Sequence, residues 1–475
     1  MKKGKPNPKA NRNILWFVYG VVGVFLCMSL YLAYFIFAES EDIINNPYNA
    51  RINGMEKRVI RGKILADDGA VLAETLVSED GTETRSYPKG QQFAHVVGYS
   101  TVGKTGIESL ANFYLVNSHV NLMEKVVNEL SDQKNIGDNV VTTLNNELQT
   151  IAYEALGDRR GAVVAMEPDT GKVLAMVSKP AFNPNTAASQ WDELVSGDGS
   201  EALLLNRATQ GLYPPGSTFK IVTALEYMRE KQGTYPGYQF SCDGIYEYES
   251  FKIQCYHKTA HGDQDFGLAF ANSCNGAFSS LGLSLDLKEL KSLSEQLLFN
   301  RELPVSLPYN RSIYQMGENA GTWEIFQTAI GQGGTLVTPM HNLLVMSAIA
   351  NGGILMTPYF IDHVENTGGQ TVKKFMPSVC GELMVANESA ALTGLLKQVV
   401  TEGTGSALLT DAYTAAGKTG SAEFETGRET HAWFVGFAPA ENPKIAVCVI
   451  VEEGGSGGKA AAPIARKLFD AWLAP

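Results

Sequence analysis

Tyr213-Pro214-Pro215-Gly216-Ser217-Thr218-Phe219-Lys220 opens an apolar run with helical spacing, Phe219, Val222, Leu225 and Met228. A proline and glycine turn leads into Ser217, so the helix starts there and carries Lys220 on the same face three residues later. That spacing has a chemical meaning. A serine hydroxyl is a weak nucleophile, and a neutral amine beside it can take its proton. The amide at a helix N-terminus can stabilise an oxyanion. The competing reading is that Ser217 only caps the helix. Three further Ser-x-x-Lys matches show how weak the pattern is alone: Ser86–Lys89, Ser131–Lys134 and Ser456–Lys459. Pro88 opposes a helix in the first, the second is a polar linker, and Gly457 and Gly458 leave the third without a rigid frame.

Two later segments extend the pattern. Ser273-Cys274-Asn275 offers a second hydroxyl for proton relay and an amide to hold a peptide group, with a capped turn as the alternative. Lys418-Thr419-Gly420 lies in an apolar run, Ala415–Glu423, that reads as a strand. Alternation sends Lys418 and Gly420 to one face and Thr419 to the other, and glycine would let a substrate backbone approach the strand edge.

The chain has 475 residues, 44% of them hydrophobic and 19% charged, which excludes a disordered chain, a collagen-like repeat and a small disulfide scaffold. Of its 38 Lys and Arg, five lie before residue 38, where there is no acid; the remainder holds 33 against 50 acidic residues. Such an acidic body repels a phosphate backbone, so nucleic acid is not an expected partner. Between Ile14 and Ala38 lie 25 residues without a formal charge, more than the ~20 needed to cross a bilayer. The basic flank precedes this run, and Glu39, Glu41 and Asp42 follow it. The expectation is an uncleaved membrane helix over 14–38, a cytoplasmic tail over 1–13, and residues 39–475 outside the cell.

That topology disposes of a decoy. Gly98 to Thr105 fits the phosphate-binding P-loop pattern, follows the apolar Phe93–Val97 and precedes a helix-like stretch, but it falls outside the membrane and lacks the ~30-residue βαβ context. Residues 39–150 otherwise mix short strand-like runs, turns and a helix-like stretch near 107–130. Beyond them, Glu147–Leu156 reads as a helix, 161–166 and 172–177 as a hairpin, 200–400 as mainly helical, and 431–437 and 445–451 as strands before a final helix, Ala460–Ala474. Strands at both ends of a unit with helices between them indicate an α+β domain whose sheet joins its own termini.

Ser217-x-x-Lys220, Ser273-x-Asn275 and Lys418-Thr419-Gly420, in that order on an exported domain, resemble the motif set of the penicillin-binding transpeptidases. Gly331-Gln332-Gly333, Gly403-Thr404-Gly405 and His431 to Phe437 are similar to segments of the class B members, and Arg61–Leu65 and Gly103–Glu108 to their pedestal domain. The resemblance implies a pedestal over 39–150 and a transpeptidase domain over 151–475, built on a five-stranded antiparallel sheet with a helical subdomain. It implies a D,D-transpeptidase that cross-links peptidoglycan stem peptides through a serine acyl-enzyme and is blocked by β-lactams. Ser217 would be the nucleophile, Lys220 the base, and Ser273 the proton carrier. Asn275, Lys418, Thr419, Gly420 and Ser421 would bind the substrate, and the amides of Ser217 and Ser421 would form the oxyanion hole. No cofactor and no metal are implied. The partner implied is a membrane glycosyltransferase of the shape, elongation, division or sporulation type. A D,D-carboxypeptidase and a non-catalytic β-lactam sensor or scaffold are the alternatives.

Six cysteines (27, 242, 255, 274, 380 and 448) are too sparse for a disulfide framework. Cys242 and Cys255 flank twelve residues that alternate like a small hairpin, and oxidation is permitted outside the membrane. A single bridge between them is expected, with two free thiols as the alternative.

Overall fold

The computed structural model describes residues 8–36, 58–131, 133–196 and 201–474. The N-terminal helix, Pro8–Tyr34, contains a 21-residue apolar span, Ile14–Tyr34, with none of its surface buried against the rest of the chain. An apolar helix with no protein to cover it is suited to a lipid environment. The expected end of the span at Ala38 lies outside the described residues.

The central sheet has five antiparallel strands in the order Ala416–Ala422, His431–Ala438, Ile445–Val451, Gly161–Met166, Val173–Lys179. The late strand Ile445–Val451 pairs with the early strand Gly161–Met166, so the sheet does join the two ends of its domain. Helices cover both faces. Asn146–Leu156 and Ala462–Trp472 lie on one face, and Pro339–Ala350 packs on the other. That double cover explains why His431–Ala438 and Ile445–Val451 are buried at every residue and read as unbroken apolar runs rather than alternating ones.

The pedestal has a sheet of its own, and it takes strands from both parts of the sequence. Its order is Thr371–Lys374, Ile361–Glu365, Asn139–Thr142, Ile64–Leu65, Val71–Val77, Glu83–Ser86. The hairpin 361–374 therefore leaves the helical middle of the chain to extend the pedestal. The middle is also less helical than its composition indicates, because two small antiparallel pairs, Gln239–Cys242 with Gly262–Asp265 and Ile245–Tyr248 with Phe251–Gln254, lie within it. The stretch near 107–130 divides into Gly106–Leu110, Asn112–Leu115 and Leu122–Leu130.

The P-loop decoy is a pedestal turn. Its preceding apolar residues form a helix, Ala94–Val97, not a strand, and Thr105 N–H closes the turn on Tyr99 O at 3.2 Å. Glu108 is fully buried and accepts hydrogen bonds from Arg61 Nε and Arg85 Nε, each at 2.7 Å. The resemblance of 61–65 and 103–108 to one domain thus has a physical basis in a single buried ion cluster, of the kind that costs about 3–5 kcal/mol to leave half-paired.

Candidate active site

Ser217 sits in a single 3-10 turn, Gly216–Phe219, that runs directly into the helix Lys220–Glu230. Two glycines permit the turn. Gly216 has φ +53°, and a side chain on Gly331 would meet Gly216 O at 2.1 Å; instead Gly216 N–H bonds Gly331 O at 2.8 Å. Trp433 Nε1 holds the preceding Pro214 O at 3.0 Å from inside the sheet. Ser217 remains partly exposed on a cleft of about 640 Å³, while Lys220 is fully buried.

The three motifs converge as expected. Lys220 Nζ donates to Ser273 O at 2.6 Å and Asn275 Oδ1 at 2.8 Å, and lies 3.2 Å from Ser273 Oγ. Lys418 Nζ reaches the same Ser273 Oγ at 2.9 Å. One hydroxyl is therefore shared by two buried amines. Burial pushes Lys220 down to about 8. Lys418 lies well below the usual lysine range, first through burial and then through the positive Lys220. Ser273 is held at φ +56°, a left-handed backbone that is uncommon for a residue with a side chain.

The cleft wall includes Ser217, Ser273, Asn275, Thr419, Gly420 and Ser421, but neither lysine. Lys418 is fully buried, and its Nζ reaches Ser273 Oγ behind the cleft wall. Gly420 is closely packed. A side chain there would meet Trp433 Cβ at 3.1 Å, Pro215 O at 3.2 Å and Thr218 Cγ2 at 3.3 Å. Its glycine lets the strand pack on the nucleophile turn while its backbone borders the cleft. Asn275 Nδ2 donates to Gln254 O at 2.8 Å, which fixes the amide in the wall.

Sequence reasoning missed Thr404 as a site residue. Its Oγ1 lies 2.6 Å from Thr419 Oγ1, and both line the cleft. Gly403 allows this approach, since a side chain there would lie 2.2 Å from Ala271 O; the Gly-Thr-Gly pattern was the available signal. The other three Ser-x-x-Lys pairs assemble nothing comparable. Ser86 ends a pedestal strand, Ser131 follows a helix, and Ser456 borders the cleft with no buried lysine three residues on. A larger cavity of about 880 Å³, bordered by Gly106, Asn300, Glu302 and Arg311, contains none of the motif residues.

A family model described as the penicillin-binding protein transpeptidase domain matches residues 161–470. The chain belongs to the penicillin-binding proteins. Residues 61–140 match a second model, the penicillin-binding protein A dimerisation domain. A curated relative, a peptidoglycan D,D-transpeptidase of Mycolicibacterium smegmatis, is 34% identical over 90% of this chain and 92% of its own length. Among solved structures, penicillin-binding protein A of Mycobacterium tuberculosis, as a ceftriaxone acyl-enzyme complex, superposes with a TM-score of 0.79 at 29% identity, covering 88% of this chain and 99% of that one. A D,D-transpeptidase domain from Eggerthella lenta gives 0.78 at 32% identity, covering 88% and 98%. The protein is a serine D,D-transpeptidase of cell-wall synthesis with the fold expected from the sequence.

Proposed function

We propose that Ser217 is the nucleophile of this transpeptidase. Its Oγ attacks the carbonyl between the two terminal D-alanines of a stem peptide, the peptide bond breaks, D-alanine leaves, and an ester to Ser217 remains. An amine of a neighbouring stem then displaces Ser217 and forms the cross-link. The observation that carries this reading is Ser273 Oγ, within 2.9 Å of Lys418 Nζ and 3.2 Å of Lys220 Nζ. Neutral Lys220 takes the proton of Ser217, and Ser273 passes a proton to the departing amine. Asn275 holds the donor peptide. Thr419, Thr404 and Ser421 meet its terminal carboxylate, with Lys418 beneath them holding the Ser273 hydroxyl. The amides of Ser217 and Ser421 stabilise the oxyanion; the two segments are close enough for a side chain on Gly216 to lie 2.9 Å from Ser421 O. A β-lactam enters as an analogue of the donor and stops at the ester.

The apolar helix Ile14–Tyr34 anchors the chain, with its basic side in the cytoplasm and the catalytic domain outside. The described residues between anchor and transpeptidase domain build the pedestal alone, so the glycan strands come from a separate membrane glycosyltransferase, one serving shape, elongation, division or sporulation.

Full-length protein given polymerised glycan with pentapeptide stems should yield cross-linked dimers with about one D-alanine released per link. D-Alanine release without dimers would establish a carboxypeptidase instead. The base assignment also sets a pH dependence. Only neutral Lys220 accepts a proton, so acylation by penicillin should rise about tenfold per unit from pH ~6 and level off above pH ~8. A flat second-order rate over that range would count against Lys220.

A further inference from the structure

The cleft wall is tied together by hydrogen bonds and not by a disulfide. The expected Cys242–Cys255 bridge is not formed; the sulfurs stand 3.7 Å apart, far beyond the ~2.05 Å of a disulfide. Elsewhere in the wall one tripeptide, Gly331-Gln332-Gly333, reaches two catalytic segments at once. Gly331 O accepts the Gly216 N–H at 2.8 Å, at the head of the nucleophile turn. The Gln332 carboxamide, in the orientation that pairs both of its groups, donates to Glu423 O and accepts the Glu423 N–H, each at 3.0 Å. Exchange of both bonds with one residue is what a partner strand does in an antiparallel pair. Ala416–Ala422 is the edge of its sheet, so Gln332 takes the place of one residue in a neighbouring strand. Backbone groups two residues apart along a strand point to the same edge. Ser421 therefore presents its amide and carbonyl on the edge that Gln332 clasps. The position of Ser421 O, 2.9 Å from where a side chain on Gly216 would start, agrees with this.

We infer that Gln332 is a positioning residue that sets the width of the oxyanion hole. The inference rests on the assignment of Ser217 as nucleophile and of the Ser217 and Ser421 amides as the oxyanion donors. Two adjacent residues fix the distance between those donors. Gly331 holds the turn that carries one, and Gln332 holds the strand end that carries the other. The bridge is itself braced. Gly331 N–H bonds Thr328 O at 2.9 Å and Gln332 N–H bonds Gln327 O at 2.8 Å, at the end of the helix Thr322–Ala329. Gly331 and Gly333 have φ of +77° and +72°, the left-handed backbone that lets the tripeptide meet both segments. A side chain at residue 331 would also meet Phe219 Cβ at 2.7 Å, so the fit against the turn has no slack. The carboxamide acts through Glu423 and Ser421 and not on the substrate. Oxyanion donors work only where the charge develops, and a misplacement of ~1 Å can cost ~10²-fold. That charge is absent when the ligand first binds, so loss of the clasp falls on the acylation step and spares initial affinity.

The test uses the full-length chain in detergent, with stopped-flow acylation by a chromogenic β-lactam resolved into an initial Kd and a limiting acylation rate. Gln332→Met keeps the size of the side chain and removes both bonds to Glu423. It should lower the limiting rate about 10- to 100-fold, with Kd changed by less than about twofold. The pH at which the rate levels off should stay near 8, because Lys220 is untouched. Gln332→Glu, ionised, still accepts the Glu423 N–H but cannot donate to Glu423 O, and its limiting rate should also fall. In the wild-type chain, hydrogen exchange at the Glu423 amide should be slow, a readout that needs no variant to fold. Ser217→Ala is run alongside. Complete loss of its adduct upholds the nucleophile, and a failure in the Gln332 variants then falls on the positioning role alone. An unchanged limiting rate in Gln332→Met, a loss carried by Kd instead, a displaced pH plateau, or fast exchange at Glu423 would overturn it.

Discussion

Ser217→Ala should abolish covalent labelling of the full-length chain by fluorescent penicillin, a loss of at least about 10⁴-fold in acylation rate, because alanine leaves no oxygen at residue 217 to carry the ester. The substitution removes one partly exposed oxygen and leaves the bond from Gly216 N–H to Gly331 O intact, so the melting temperature should barely move. In the wild-type chain, penicillin should add one adduct to the intact mass, and peptide mapping should place it at Ser217. An adduct at Ser86, Ser131 or Ser456 would sink the assignment. The structure makes that outcome unexpected, since only Ser217 is followed at the third residue by a buried lysine bonded to a second motif.

The two lysines should separate sharply on replacement by arginine. A guanidinium stays protonated and cannot act as a base. Lys220→Arg is expected to lower acylation by roughly 10³-fold or more, within the range for loss of a general base plus misplacement of Ser273. Lys418→Arg keeps a donor beside the Ser273 hydroxyl and should keep measurable activity, down by about 10- to 100-fold as the longer side chain displaces Ser273. Second-order acylation rates, measured beside melting curves that confirm both variants are folded, decide the matter. Equal residual rates would remove the distinction between the base and the amine that holds Ser273.

Much of this was legible because it is written in short spacings. A basic segment followed by an uncharged run names a membrane helix whatever surrounds it, and the structure leaves Ile14–Tyr34 uncovered. Serine and lysine three residues apart at a helix start share a face by helical geometry alone. The unbroken apolar runs around Trp433 and Cys448 mark strands buried on both sides, and they occupy the middle of the central sheet. The order of the three motifs was enough to name the family that the comparisons then showed.

What the chain alone did not reveal lies in contacts between residues far apart in sequence. Alternation placed Lys418 and Gly420 on one face of their strand, but only packing shows that this face meets Ser273 and the Pro215–Thr218 turn. Thr404 joins Thr419 because Gly403 lets one backbone touch another. The hairpin 361–374 adds to the pedestal sheet through pairing with Asn139–Thr142, a choice open to any exposed strand edge until tertiary structure brings one partner close. Closeness along the chain suggested a bridge between Cys242 and Cys255; the fold instead brings Cys274 and His261 to the same point. Local patterns follow from covalent geometry and repeat every two or 3.6 residues. A shared hydroxyl between two amines, or three sulfurs gathered beside one imidazole, exists only when loops from distant segments close on each other, and no local pattern specifies that closure.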